Sequence, residues 1–448
     1  MDARFNPKQT FAATVISLTS LLWALPASAA DIPGCDKQYQ TDTPLTLADA
    51  VDIALCRNAK TTQAWLAIQA QTAEVGVARA ASFPTVTASL SAQDNRTQTG
   101  GLTATSRTAG LGSSLGLNWR LFDFGERAAN RTAAALMLDA AVASRDDTIR
   151  KTVADTIQAY FAAQQARATL EARQQAARQG ARTLAAAERR EERGAAGRAD
   201  TLQAETALAR ARLSRQRAQS DVDRSFATLA YTIGAPADAR ITFPARMQTP
   251  DPTPLPDLQD LMDDASAHHP AILAARAQRD ADAARAAAAR AQGRPTVDFS
   301  LTHQLNAPTT QLGASSRQRA LGVGFTVNIP IFDGGANKYQ SQRARVQADR
   351  STEQALDIEQ QVLSELVKCH AEVASSRAGL DAAQQWLDTA NIALESAENR
   401  YARGVGDIME LINAQNAVAE ALESQAQGEA QWNAARLKLL ADIGQWSR

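Results

Sequence analysis

Two hydrophobic periods take turns along this chain. From Leu45 to Ala80 apolar residues recur at helical spacing, as Val51, Ala54 and Leu55, then Ala64, Leu66 and Ile68. Asp49 and Asp52 fall in the early turns, where the helix dipole favours acids, and Ser82-Phe83-Pro84 predicts the stop. The period then drops to two. Val86, Ala88, Leu90 and Ala92 alternate with Thr85, Thr87, Ser89 and Ser91. Asn95 to Ser114 is rich in Gly, Thr and Ser and is expected to be a loop. Alternation resumes with Leu115, Leu117, Trp119 and Leu121 facing away from Gly116, Asn118 and Arg120. Next comes Gly125 to Glu191, about 67 residues with one interior glycine, Gly180, which as a helix would be roughly 100 Å long. Arg193-Gly194-Ala195-Ala196-Gly197 predicts a reversal, and a returning helix runs from Asp200 to about Thr232.

The second half repeats this order at an offset of about 210 residues, a domain-sized duplication and not a solenoid period. Leu121-Phe122-Asp123-Phe124-Gly125 returns as Ile331-Phe332-Asp333-Gly334-Gly335. Asp200-Thr201-Leu202-Gln203-Ala204 returns as Glu410-Leu411-Ile412-Asn413-Ala414. Val297, Phe299 and Leu301 alternate with polar residues, and so do Leu321 to Ile331 at odd positions. Gly335 to Tyr401 is the second long helix, and Arg403-Gly404-Val405-Gly406 the second reversal, with Asp407 opening the return to about Ile443. In each copy the returning helix and the helix before the strands add up to the length of the long one. Each repeat should therefore form two rows of equal height.

The strands have one apolar and one polar face, the pattern of an outer-membrane β-strand with lipid outside and lumen inside. A soluble two-faced sheet is the alternative, but these strands have no other core to cover. Four strands cannot close a barrel, and an open edge in lipid leaves backbone groups unpaired. Pooling strands from three copies gives twelve, with cyclic symmetry. The same copies would pool four helix rows each into a helical tube.

Among 448 residues the formal net charge is −1, which gives no support to a nucleic-acid partner. The first 30 residues are expected to be a cleaved secretory signal, with Arg4 and Lys8 before the apolar run Phe11 to Leu25 and Ala27-Ser28-Ala29 at the cut. The expected organisation is then a first repeat over 31–233, a Pro- and Asp-rich linker over 234–257 and a second repeat over 258–448. Of three cysteines, Cys35 and Cys56 lie close together and could bridge in an oxidising compartment, while Cys369 stands alone. No cofactor or metal is expected. His268-His269 lacks companion ligands, and Gly110-Leu111-Gly112-Ser113-Ser114-Leu115-Gly116 lacks phosphate-loop spacing. Acidic residues on the helices suggest solvated faces and no catalytic pocket.

The strand order, the two Phe-Asp-x-Gly junctions and the two glycine tips resemble the TolC outer-membrane efflux family over nearly the whole mature chain. Pro44 to Val51, Cys56, Gln63-Ala64-Trp65 and Val75 to Ala81 resemble its type I secretion branch, most of all the CyaE-type subgroup serving adenylate cyclase–haemolysin export. The resemblance implies an α+β membrane protein. It would be a homotrimer with a 12-stranded outer-membrane β-barrel, four strands per chain, continued by a long periplasmic α-helical barrel. Partners would be an inner-membrane ABC transporter, a periplasmic membrane-fusion adaptor, outer-membrane lipid and a secreted protein substrate, an RTX-type toxin. The transporter would supply the energy, so the chain itself is expected not to be an enzyme.

The same resemblance places a gate at the tips Gly194, Gly197, Gly404 and Gly406. It implies a latch between Asp200 and Tyr401 and a lumenal constriction at Glu410 and Asn413; Gly406 stands where the family has a basic residue and Asn413 where it has a second acid, with Asp407 a nearby carboxylate that could compensate for the lost ring. Asp200 could instead cap the returning helix, and Glu410 could be a solvated first-turn acid. Two other readings remain: the outer-membrane component of a multidrug efflux pump, and a periplasmic coiled-coil adaptor.

Overall fold

The computed structural model describes residues 44–98, 105–244, 256–310 and 317–442. The expected signal segment, Cys35 and residues 245–255 of the expected linker lie outside the described residues. Twelve elements follow in chain order: α1 (Leu47–Arg57), α2 (Ala59–Ala80), β1 (Thr85–Gln98), β2 (Thr105–Phe122), α3 (Glu126–Glu192), α4 (Arg198–Thr232), α5 (Leu258–His268), α6 (Pro270–Ala291), β3 (Thr296–Thr310), β4 (Gln318–Asn328), α7 (Ala336–Ala402) and α8 (Ile408–Asp442).

Leu45 to Ala80 is not one helix. Asn58 is extended, with ψ 128°, and separates α1 from α2. Its side chain explains the break. The Oδ1 accepts from Lys60 N (2.8 Å), capping α2, while Nδ2 donates to the Thr232 carbonyl (2.8 Å) at the end of α4. The second copy breaks at His269, whose Nδ1 accepts from Ala271 N (3.2 Å). Burial and the nearby Arg150 cation hold His269 below the ordinary histidine value, which suits an acceptor nitrogen. The row beside each long helix is thus the returning helix continued by the 22-residue α2 or α6. The short helices α1 and α5 stand apart from it, so the predicted sum of lengths overcounted by one short helix.

The chain forms four rows. In the strand-proximal half α2, α3, α6 and α7 pack in that order, and in the far half α4, α3, α8 and α7 do. One edge is therefore the α2/α4 row and the other is α7. The main core lies at the waist, where Val51, Ile53, Ile157, Tyr160, Phe161, Leu229, Ile233 and Phe243 meet. There the Tyr160 hydroxyl donates to the Leu45 carbonyl (3.0 Å) and its ring meets Phe243 edge-on at 5.2 Å.

The sheet is an antiparallel meander, β1-β2-β3-β4, with β1 and β4 at its edges. Strands β1 and β2 pair from Thr85↔Asn118 to Gln98↔Thr105. Much of the Gly- and Ser-rich stretch expected to be a loop is therefore strand. Its composition reflects one face of the sheet. Gly112 stands opposite Ser91 and Asn306, Gly116 opposite Thr87 and Thr302, and Gly322 opposite Thr302. A Cβ at Gly112 would lie 2.6 Å from Ser91 Oγ, and one at Gly322 would lie 2.9 Å from Thr302 Oγ1, so this polar face is crowded where a hydroxyl meets a glycine. The other face carries Val86, Leu90, Leu111, Leu115, Leu321, Val323 and Phe325, with Leu90 73% exposed and Phe325 69%. Phe83, Trp119, Phe122 and Phe124 gather at its helix-proximal end, and Trp119 Nε1 donates to the Ser82 carbonyl (3.1 Å). Such an aromatic girdle marks a membrane interface. Strand β4 ends at Asn328, short of the predicted Ile331, because Pro330 cannot donate to a ladder.

Candidate functional site

Strand passes to long helix at the two Phe-Asp motifs. Asp123 Oδ1 accepts from Gly125 N (3.2 Å), and Oδ2 accepts from Arg127 N (3.1 Å) and Arg127 Nε (2.6 Å). Asp333 repeats the backbone bonds to Gly335 N (2.9 Å) and Asn337 N (2.8 Å). Gly125 and Gly335 are left-handed, with φ 92° and 87°, which explains why both copies of the motif carry glycine there. Burial would raise the Asp123 carboxyl, but the Arg127 bonds outweigh it and hold it low. At Asp333 the backbone bond from Asn337 is the main cause of a lowered value. These motifs aim the helices; the candidate site is at their far ends.

Both helix ends reverse by the same hydrogen bonds. At the first, Gly194 has φ 71°, Gly194 N donates to the Glu191 carbonyl (2.8 Å) and Ala195 N to the Arg190 carbonyl (2.8 Å). At the second, Gly404 has φ 77°, Gly404 N donates to the Tyr401 carbonyl (3.0 Å) and Val405 N to the Arg400 carbonyl (3.1 Å). Gly197 has no Cβ neighbour within 4 Å and serves as the cap residue of α4. Asp200 therefore sits in the first turn and is not the cap. Gly406 differs. A Cβ there would lie 2.8 Å from Tyr401 N and 2.9 Å from the Arg400 carbonyl carbon, so no side chain, basic or otherwise, fits without moving the turn.

Tyr401 is buried in a small cluster with Ala397, Ile408, Leu411 and Ile412. Its hydroxyl has no hydrogen-bond partner, so the expected bond to Asp200 is not formed within the chain. Burial raises the phenol above its ordinary value; the Arg190 cation opposes that rise and the Asp200 carboxylate adds to it. What grips Tyr401 is Arg190. Its Nη1 donates to the Tyr401 carbonyl (2.9 Å), and the guanidinium carbon lies 4.6 Å from the ring centroid. Sequence reasoning missed Arg190, because no local pattern links it to a residue 211 positions away.

The expected constriction residues sit on the first turns of α8. Asp407 Oδ1 accepts from Met409 N (3.2 Å) and caps the helix. Glu410 lies 3.5 Å from Arg400 Nη2 as a half-exposed ion pair, and Asn413 is exposed. At the first tip Glu191 Oε2 accepts from Thr201 Oγ1 (2.6 Å), with Arg198 at 3.9 Å. His268 bonds Asp264 (2.9 Å) while His269 caps α6, so the histidine pair is divided between two local roles. Cys56 is disulfide-bonded, and Cys369 is a buried free thiol that burial pushes up to about 11.

The model of the outer membrane efflux protein family matches residues 50–235 and 261–445. Protein CyaE of Bordetella pertussis is 33% identical over 413 residues, which cover 90% of this chain and 85% of that one. The outer membrane efflux protein BepC of Brucella suis is 24% identical over 88% of this chain and 84% of its own length. Among solved structures, the outer-membrane channel OprN superposes with a TM-score of 0.78 at 21% identity, covering 94% of this chain and 97% of the other.

Proposed function

The chain belongs to the outer membrane efflux protein family, and from that premise we propose that it is the outer-membrane channel-tunnel of a type I secretion system, passing a protein out of the cell. The observation that carries this reading is the sheet. Its apolar face is exposed along β1, β2 and β4, its other face is largely hydroxyl, amide and glycine, and each hairpin leads into a 67-residue helix. A lipid-facing barrel continued by a tunnel across the periplasm uses all three properties.

Assembly as a homotrimer is supported by the unpartnered edges. Edge strand β1 follows α2 of one outer row and edge strand β4 leads into α7, the other, so one head-to-tail contact would pair the strands and the helices together. A monodisperse monomer in detergent with full β signal would sink this part. Secretion is favoured over drug efflux by the 33% identity to Protein CyaE and by the Pro44–Val51 and Val75–Ala81 stretches. The 24% match to BepC keeps efflux as the second reading. The inner-membrane ABC transporter and membrane-fusion adaptor would dock at the tips, where Asp200, Tyr401, Glu410, Asn413 and Asp407 would form the closable end. Deletion of the gene decides between the cargoes. Loss of a secreted RTX-type protein from the medium with unchanged drug tolerance is the expected result. Drug sensitisation with normal secretion would overturn it.

A further inference from the structure

Rows α3 and α7 do not touch along most of their length, because α6 lies between them in the strand-proximal half and α8 in the far half. At the tip Arg190 of α3 crosses to α7. Its Nη2 lies 3.6 Å from the Cβ position of Gly404, in addition to its bond to the Tyr401 carbonyl and its place over the ring. That carbonyl belongs to the last turn of α7, the negative end of the helix, where a cation is favoured. The carbonyl of Arg190 itself closes the first reversal by accepting from Ala195 N. One residue thus completes one hairpin and holds the other.

We propose that Arg190 is a positioning residue of the gate, fastening the α3/α4 hairpin to the α7/α8 hairpin of the same chain by the ring and carbonyl of Tyr401, with the hydroxyl uninvolved. This rests on the channel reading for its functional meaning, but not for its geometry. Gly406 has no room for a side chain, and Arg400 of the same tip is paired with Glu410, so the cation over the Tyr401 ring is the one that Arg190 brings from the neighbouring hairpin. A second link between the same two helices, Gln179 Nε2 to Glu398 Oε1 (2.6 Å), is exposed and does not substitute for it.

The test uses the full-length protein, purified and reconstituted in planar bilayers, with a spin-label pair at the exposed positions Glu192→Cys and Ala402→Cys reporting tip separation. Arg190→Ala should raise the open population about tenfold, the size expected for losing a charge-assisted hydrogen bond and a cation–π contact, and Tyr401→Ala, which keeps the carbonyl and loses the ring, should raise it severalfold. They should also lengthen the label distance. Arg190→Lys should fall between Arg190→Ala and the parent, since an ammonium can reach the carbonyl but cannot stack as a plane. Tyr401→Phe and the exposed neighbour change Arg189→Ala should match the parent. An unchanged label distance in Arg190→Ala would overturn the fastener, as would Tyr401→Phe opening as far as Tyr401→Ala. Label distances that lengthen as expected while neither parent nor variants conduct would keep the fastener and remove the channel reading. Unchanged folding is checked by heat-modifiable migration of every variant.

Discussion

The two tips open their reversals alike and differ in how each is completed and held; the second adds a bond from Gly406 N to the Arg400 carbonyl (3.0 Å). Their glycines have φ 71° and 77° and their reversals use equivalent hydrogen bonds. Yet Tyr401, Ile408, Leu411 and Ile412 of the second tip form a buried cluster, whereas their counterparts in the first are Glu191, Arg198, Thr201 and Leu202. The first tip is held by exposed polar bonds, Glu191 to Thr201 and Arg198, and Leu202 stays half exposed. The equivalent arginines part ways as well. Arg400 stays within its own hairpin at Glu410, and Arg190 leaves its hairpin for Tyr401. Duplication supplied the turn twice, and divergence made one tip apolar and dependent on the other.

The largest break in this comparison should come from Ile408→Ala. Ile408 is 1% exposed, and its truncation should cost the second tip about 2–4 kcal/mol of local stability. Amide exchange over Tyr401 to Ile412 would read it. Arg198→Ala, the matching change, should cost less than about 0.5 kcal/mol. Equal effects would mean that the apolar cluster is not what distinguishes the tips. Gly406→Ala comes next, at about 1–3 kcal/mol, since its Cβ must push against backbone. The first tip already has Ala196 at that position, so Ala196→Gly should cost no more than about 1 kcal/mol.

The smallest expected effect is alkaline. The folded Tyr401 phenol lies above its ordinary value of 10.0. A raised value means that the protonated form is favoured by folding. The stabilisation is therefore complete below pH 10.0 and is lost as pH rises through the folded value. Phenolate absorbance, parent minus Tyr401→Phe, should titrate above pH 10.0, with the second tip loosening over the same interval. A midpoint at or below the ordinary value would show that the ring is not buried.

Much of this plan was legible in the residues. Period two against period 3.6 located the four strands and the long helices, and Gly194 and Gly404 marked the reversals because only a left-handed residue closes such a helix end. The stretch from Asn95 to Ser114 misled, because a sheet face that packs glycine against hydroxyl has the composition of a loop. Asn58 misled for another reason. Its break is set by a bond to Thr232, and no window around residue 58 contains that partner. Tyr401 was noticed through family resemblance, but its grip by Arg190 depends on two helices ending side by side, which only the folded chain determines.

The length of α3 has a mechanical consequence. From Tyr160 in the waist to Glu192 at the tip is a stiff arm of about 48 Å. A tilt of about three degrees at that fulcrum sweeps the far end ~2.5 Å, which takes a hydrogen bond beyond its working distance. The Arg190 clasp therefore senses small angles. A force that barely shifts the waist can still undo it, and a clasp placed nearer the waist would need a far larger swing.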